Sequence, residues 1–240
     1  MSLLTVANAV ADETKGPRPA TIIGNVDPSA QNMLRMINRC GYKLMLSYPW
    51  SILRTEATVT APGVETLIST MPTDFNRFVP ETMWDRGTNN LVSGPVKPVE
   101  WNGLKVQTFS SQNKKFIYRG GSVLTQPVID SGVTVAYEYV SKNWVDIAAT
   151  GTPKGSMTID TDVSRIDEEL LIACVCYSWL DADGQPAATA FQYFRDMFDM
   201  ITGNDGGSDP ILVTADIFSL NSRHHDGQPK ASRSSYGGDF

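Results

Sequence analysis

Asp167-Glu168-Glu169-Leu170-Leu171-Ile172-Ala173-Cys174-Val175-Cys176-Tyr177-Ser178-Trp179-Leu180 is the stretch that decides the fold. Wound as a helix, it carries apolar residues on nearly every face, so it must be buried on all sides. Ser164-x-x-Asp167 resembles a capping box with Asp for the usual Glu. Asp181-Ala182-Asp183-Gly184-Gln185-Pro186 then makes a tight turn. Ala187, Ala190, Phe191, Phe194, Met197, Phe198 and Ile201 follow as one amphipathic stripe, closed by Gly203. Residues 161–203 therefore read as a helical hairpin.

Its partners lie at the other end of the chain. Residues 3–13 read as a short helix broken by Gly16-Pro17-Arg18-Pro19. Asp27-Pro28 opens a second helix with an N-cap and a first-turn proline. Ala30, Met33, Leu34, Ile37, Cys40, Leu44 and Tyr48 form its buried stripe, and Tyr48-Pro49-Trp50 ends it. Between these helical ends, residues 51–160 have β texture. A strand over 52–60 and a turn at Ala61-Pro62-Gly63 predict a hairpin with residues 64–71. Residues 73–79 suit a helical turn capped by Thr73, and 80–100 read as loop. Strands at 105–109, 115–119, 122–126 and 134–140 follow as an antiparallel meander. The fold class is thus α+β. N-terminal helices (1–50) and a C-terminal hairpin make a bundle, the β subdomain is inserted, and an extended arm (204–240) trails.

In that arm, 211–220 is apolar enough for a strand or docking segment, with Ile211, Val213, Ile217, Phe218 and Leu220. Residues 222–240 are polar and Gly/Ser-rich, with Tyr236 and Phe240 as isolated anchors. A segment of this composition gains a fixed path only by lying against something, which argues for a large assembly.

Composition agrees. Of 240 residues only 19% are charged and 41% hydrophobic, so Ser, Thr, Asn, Gly or neighbouring subunits must cover the surface. Twenty Lys+Arg against 26 Asp+Glu give a net charge of −6. A grip on phosphate backbones needs a basic footprint, so tight binding to DNA or an anionic membrane is disfavoured. No apolar run approaches the roughly 20 residues of a membrane helix, and the first five residues lack the basic start of a signal peptide.

Candidate chemistry is sparse. Cys40, Cys174 and Cys176 read as buried free thiols, not a zinc site. His224 and His225, the only histidines, sit in the polar arm. Asp181-Ala182-Asp183-Gly184 begins like a calcium loop but lacks the later acidic ligand. Asp160, Asp162, Asp167, Glu168 and Glu169 read as acids gathered at a helix N-terminus; general acid–base work is the rival reading. The aromatic stretch with Phe75, Phe78, Trp84 and Trp101 reads as a loop packed over the helical core or a subunit contact, with a ligand platform as the alternative. No catalytic residue, metal or cofactor is assigned. Trp84, Arg86 and Trp101, with the arm's Ile211, Val213, Ile217, Phe218, Leu220, Tyr236 and Phe240, are the candidate interface residues.

One succession of motifs goes further. Met71-Pro72-Thr73-Asp74-Phe75-Asn76-Arg77-Phe78, Thr82-Met83-Trp84-Asp85-Arg86, Leu91-Val92-Ser93-Gly94-Pro95 and Glu100-Trp101 come first. Tyr118-Arg119-Gly120, Pro127, Gly132, Tyr137-Glu138-Tyr139-Val140-Ser141-x-Asn143-Trp144, Thr161-Asp162 and Asp167-Glu168-x-Leu170-Leu171 follow in order. Over residues 28–202 this resembles the head-to-tail adaptor (connector, or tail accessory) proteins of tailed bacteriophages, especially short-tailed ones. The resemblance implies a structural virion protein made in the host bacterial cytoplasm. It implies a ring, usually of twelve subunits, between the portal protein and the tail nozzle or tube, with DNA passing through its lumen. A net negative subunit repeated around that ring would let the duplex slide without sticking. Ring closure needs two different patches per subunit, one expected on the bundle and one on the β insertion. Another neck component (stopper or tail-completion protein), a β-rich receptor- or glycan-binding module using Trp84 and Trp101, and a hydrolase using Asp162 and Asp167 are the alternatives.

Overall fold

The computed structural model describes residues 2–106 and 113–205. Helix α1 (Leu3–Glu13) starts at Ser2, whose hydroxyl accepts the Thr5 N–H at 3.3 Å, and buries Leu3, Val6, Ala7, Val10 and Ala11 on one stripe. Helix α2 (Pro28–Ser47) has the expected Asp27 cap, accepting from the Ser29 N–H at 3.0 Å, and the expected proline start. A 3-10 turn at Ser51–Leu53 leads into β1 (Arg54–Thr60). Next come β2 (Thr66–Ile68), β3 (Phe75–Phe78), β4 (Trp84–Asp85), β5 (Asn90–Leu91) and helix α3 (Pro98–Val106). Strands β6 (Lys115–Arg119), β7 (Ser122–Gln126), β8 (Thr134–Ser141), β9 (Val145–Asp146), β10 (Pro153–Lys154) and β11 (Val163–Ser164) precede helices α4 (Glu168–Ala182) and α5 (Ala188–Asn204). The chain is α+β.

Four helices close the first core. Seven successive residues of α4, Leu170 to Cys176, are buried, as their all-round apolar pattern requires. They meet the α1 stripe, Met33, Ile37, Cys40 and Leu44 of α2, and Phe194 of α5. Each large aliphatic side chain so buried contributes about 1.5–3 kcal/mol relative to exposure. The small β9–β11 sheet and its loops join this core through Trp144, Val145 and Met157.

The second core lies in the β subdomain. Strand β8 is its spine, paired antiparallel with β1 along Arg54↔Val140 to Thr60↔Thr134. On its other side β3 takes the C-terminal half and β4 the N-terminal half. Val135, Tyr137 and Tyr139 point into this core with Phe116 and Val123 of the separate β2–β7–β6 sheet. Phe75 and Phe78 add edge-on ring contacts 4.8 Å apart between centroids. Val140, at the far end of β8, is buried in the helical core instead. One strand thus serves both cores.

Several expectations fail for identifiable reasons. Residues 75–78 form a strand, not a helical turn: Asp74 accepts from Tyr139 Oη at 3.0 Å and Ser141 Oγ at 2.8 Å across the sheet. Residues 66–68 pair with β7, not β1, whose partner is the distant β8. The 80–100 stretch contains the β4–β5 pair and the start of α3. Helix, not strand, runs through Lys105 and Val106, while the rest of that expected strand lies outside the described residues. Asp167 itself caps α4, accepting from the Leu170 N–H at 3.0 Å, while Ser164 belongs to β11. Gly203 falls inside α5, which ends at Asn204.

Candidate functional site: the open sheet face and its supports

Period-two alternation sorts the five-stranded sheet into two faces. Odd-numbered β8 residues face the second core. Thr134, Ala136 and Glu138 point the other way, beside Glu56, Thr58 and Thr60 of β1 and Trp84 of β4. Arg86, one step beyond β4, donates its N–H to the Thr134 carbonyl at 2.9 Å and so shares this side. Its guanidinium pairs with Glu56. Both partners are more than half exposed, so the pair orders the surface and adds little stability. Trp84 stands 46% exposed in the middle of the face. The helical core bounds one end of it through Val140.

Beneath Trp84 and Arg86 sits Asp85, fully buried. Burial alone would push its carboxyl up. The Lys114 ammonium, the N–H groups of Thr88 and Gly87 and the Thr88 hydroxyl outweigh that and hold it below the usual carboxylate range. The motif Trp84-Asp85-Arg86 therefore alternates out, in, out: two side chains offered to solvent over one ionic anchor. Deeper in the subdomain, burial and the nearby Asp74 carboxylate push the Tyr139 phenol up to about 12.

Of the three candidates in the described residues, the structure brings Trp84 and Arg86 together and sets Trp101 apart. Trp101 is 2% exposed, with the Lys105 ammonium 5.7 Å from its ring centre. It is enclosed within the subunit. The two-tryptophan platform of a glycan-binding module is accordingly not formed, and Phe75 and Phe78 pack into the β core, not over the helices. Ile211, Val213, Ile217, Phe218, Leu220, Tyr236, Phe240 and both histidines lie outside the described residues.

The acidic cluster disperses into structural duties. Only Asp167, Glu168 and Glu169 belong to the α4 start. Asp160 accepts the N–H groups of Ile22 and Ile23 at 3.1 and 2.9 Å and fixes the loop between α1 and α2. Asp162 is fully buried, where burial raises its carboxyl; the Lys154 ammonium and the Thr158 and Ile159 N–H groups reverse the shift and hold it low. Among the described residues no three His, Cys, Asp or Glu side chains are grouped to hold a metal ion. The cysteines are free and buried. Hydrogen bonding with Cys40 and burial raise the Cys174 thiol, and burial beside Glu13 raises Cys176.

The bundle has exposed side chains of its own: Tyr42 of α2 and Tyr193 and Met200 of α5 are each about half exposed. What joins it to the sheet face is a contact that sequence reasoning missed. Directly after β8, the fully buried Trp144 lays its indole on Gly41 in the middle of α2. A glycine in a helix interior is the signal that could have revealed it.

The family model described as SU10 adaptor protein matches residues 1–214. That match exceeds on both sides the span over which the motifs suggested phage adaptors. No curated protein is similar enough to the chain to be matched to it. No helix among the described residues is long and apolar enough to cross a membrane. The chain belongs to the SU10 adaptor family.

Proposed function

We propose that this member of the adaptor family is a ring-forming head-to-tail adaptor. Copies of the chain, twelve in the short-tailed type it resembles, would sit in the virion neck between the portal protein and the tail nozzle or tube. The observation that carries the reading is the family match over nearly the whole chain. The geometry supports it. A closed ring needs two unlike patches per subunit at a fixed mutual angle. The sheet face with Trp84 and Arg86 would supply one, and the bundle, on which Tyr42, Tyr193 and Met200 are exposed, the other. The shared strand β8 and the Trp144–Gly41 contact hold the angle. The chain beyond Asp205 is the arm that reaches the portal or an adjacent subunit, with Ile211, Val213, Ile217, Phe218, Leu220, Tyr236 and Phe240 as its apolar anchors. DNA would pass through the lumen unbound, since a net charge of −6 per subunit repels phosphate.

The test replaces Trp84 and Arg86 by alanine in the full chain and follows assembly on portal rings by sedimentation. Both sites are exposed, so the fold should persist while ring assembly weakens at least tenfold. Unchanged assembly would remove the sheet face from the interface.

A further inference from the structure

Strand β1 ends its sheet, and among the described residues nothing pairs with its outer side. The ladder fixes which groups that leaves bare. Ala61 N–H donates to the Val133 carbonyl at 2.7 Å, so the residues two, four and six before it, Val59, Ala57 and Thr55, exchange bonds with β8. Glu56, Thr58 and Thr60 turn their N–H and C=O groups away from the sheet, while the Arg54 N–H already donates to the Ser51 carbonyl. The other side of β8 agrees, because the Thr134 and Glu138 carbonyls accept from Arg86 and Val79 on β4's flank. Ala57 and Val59, at the margin of the second core, stay only half buried. A strand edge of this length is usually blunted or covered.

The chain's own path brings a cover to hand. The Asp205 carboxylate accepts the Ser51 N–H at 2.9 Å, so the chain leaves α5 three residues before β1 begins. Five residues, Gly206 to Pro210, separate Asp205 from Ile211. The six Cα steps from Asp205 to Ile211 reach at most about 22 Å, enough for the Arg54 end of β1; the Thr60 end lies a further strand length of roughly 20 Å beyond it. Alternation fits in part: Ile211, Val213, Ala215 and Ile217 would extend the face of Ala57 and Val59, with Leu212, Thr214, Asp216, Phe218 and Leu220 on the other side.

We propose that in the unassembled subunit the open edge of β1 is covered by residues 211–220 of the same chain, added as a parallel strand. Main-chain hydrogen bonds give the hold and the alternating apolar side chains the register. The pairing is a property of one subunit and stands apart from ring formation, so a failed ring assay would not touch it.

The test is residue-resolved amide exchange on the dilute, full-length, single subunit, compared with the full-length variant V213P/I217P. The outward amides of Glu56, Thr58 and Thr60 should exchange at least tenfold faster in the variant, while the α4 amides of Leu170 to Cys176 stay unchanged. Equal rates in both chains would overturn the proposal. So would protection that appears only on assembly, which would assign the edge to a second copy. A cysteine at Thr58 combined in turn with one at Leu212, Thr214 or Asp216 gives an independent reading in a native-sequence arm. At least one pair should form a disulfide within a single chain on oxidation by copper phenanthroline, and bridges solely between chains, or none, would overturn it.

Discussion

Gly41→Ala should destabilise the subunit, although the same exchange in a helix interior ordinarily stabilises by about 1 kcal/mol. A Cβ at Gly41 would lie 2.2 Å from Trp144 Cη2 and 2.4 Å from Cζ2 and Cζ3. No real contact is that short. The indole is fully buried and has no open side to retreat into. Overpacking of this kind costs about 1–3 kcal/mol and at times more. With backbone clash against a rigid ring, the upper end applies, and after subtracting the helix-propensity gain the net loss is about 2 kcal/mol. For a chain of this size that is a fall in Tm of roughly 4–8 °C. Urea unfolding of the full chain followed by tryptophan fluorescence gives the free energy, and calorimetry gives the Tm. The W144F background completes the cycle: the smaller ring removes the clashing atoms, so Gly41→Ala should cost at least 1 kcal/mol less there. The loss of the indole N–H is tolerable because Nε1 has no hydrogen-bond partner among the described residues. A Gly41→Ala chain as stable as the parent, or an equal cost in both backgrounds, would refute the reasoning.

Other outcomes follow from the same contacts. Asp85 and Asp162 are both held below the usual carboxylate range. Falling pH therefore protonates the unfolded chain first, and stability present above about pH 4 should drain away below it; Asp162→Asn should flatten that acid limb and cost about 3 kcal/mol at pH 7 by stranding Lys154, read from urea midpoints across pH. Trp84→Ala should leave urea stability within about 0.5 kcal/mol, as expected of an exposed side chain. The three cysteines should resist an aromatic disulfide reagent in the native chain and react together in denaturant, since all are buried. Removal of residues 206–240 should weaken portal attachment at least tenfold in a pull-down while α4 keeps its amide protection; equal attachment would contradict the arm's role.

Local signals were easy to read wherever the deciding partners are near in sequence. Asp27-Pro28 marks the start of α2 because cap and proline act within one turn. The apolar run at Leu170 to Cys176 marks α4 because only a buried helix tolerates it. The sheet was less legible, since its pairings are long-range: β1 finds β8 some eighty residues on, not the nearest β segment. Thr73-Asp74 imitates a helix cap, yet Asp74 serves Tyr139 and Ser141 across the sheet. At the candidate surface, the sequence marks Trp84, Arg86 and Trp101 alike as candidates, and nothing in their neighbourhood distinguishes exposed Trp84 from buried Trp101. Only the register of β4 on β8 makes that distinction.

The subunit is two small cores locked by one strand and one indole. The sharpest test is native mass measurement of portal rings from the same phage mixed with excess full-length chain. The account predicts a complex heavier than the portal ring by a fixed ring complement of 26.3 kDa subunits, twelve for the short-tailed type. A portal ring whose mass stays unchanged at saturating chain would contradict it.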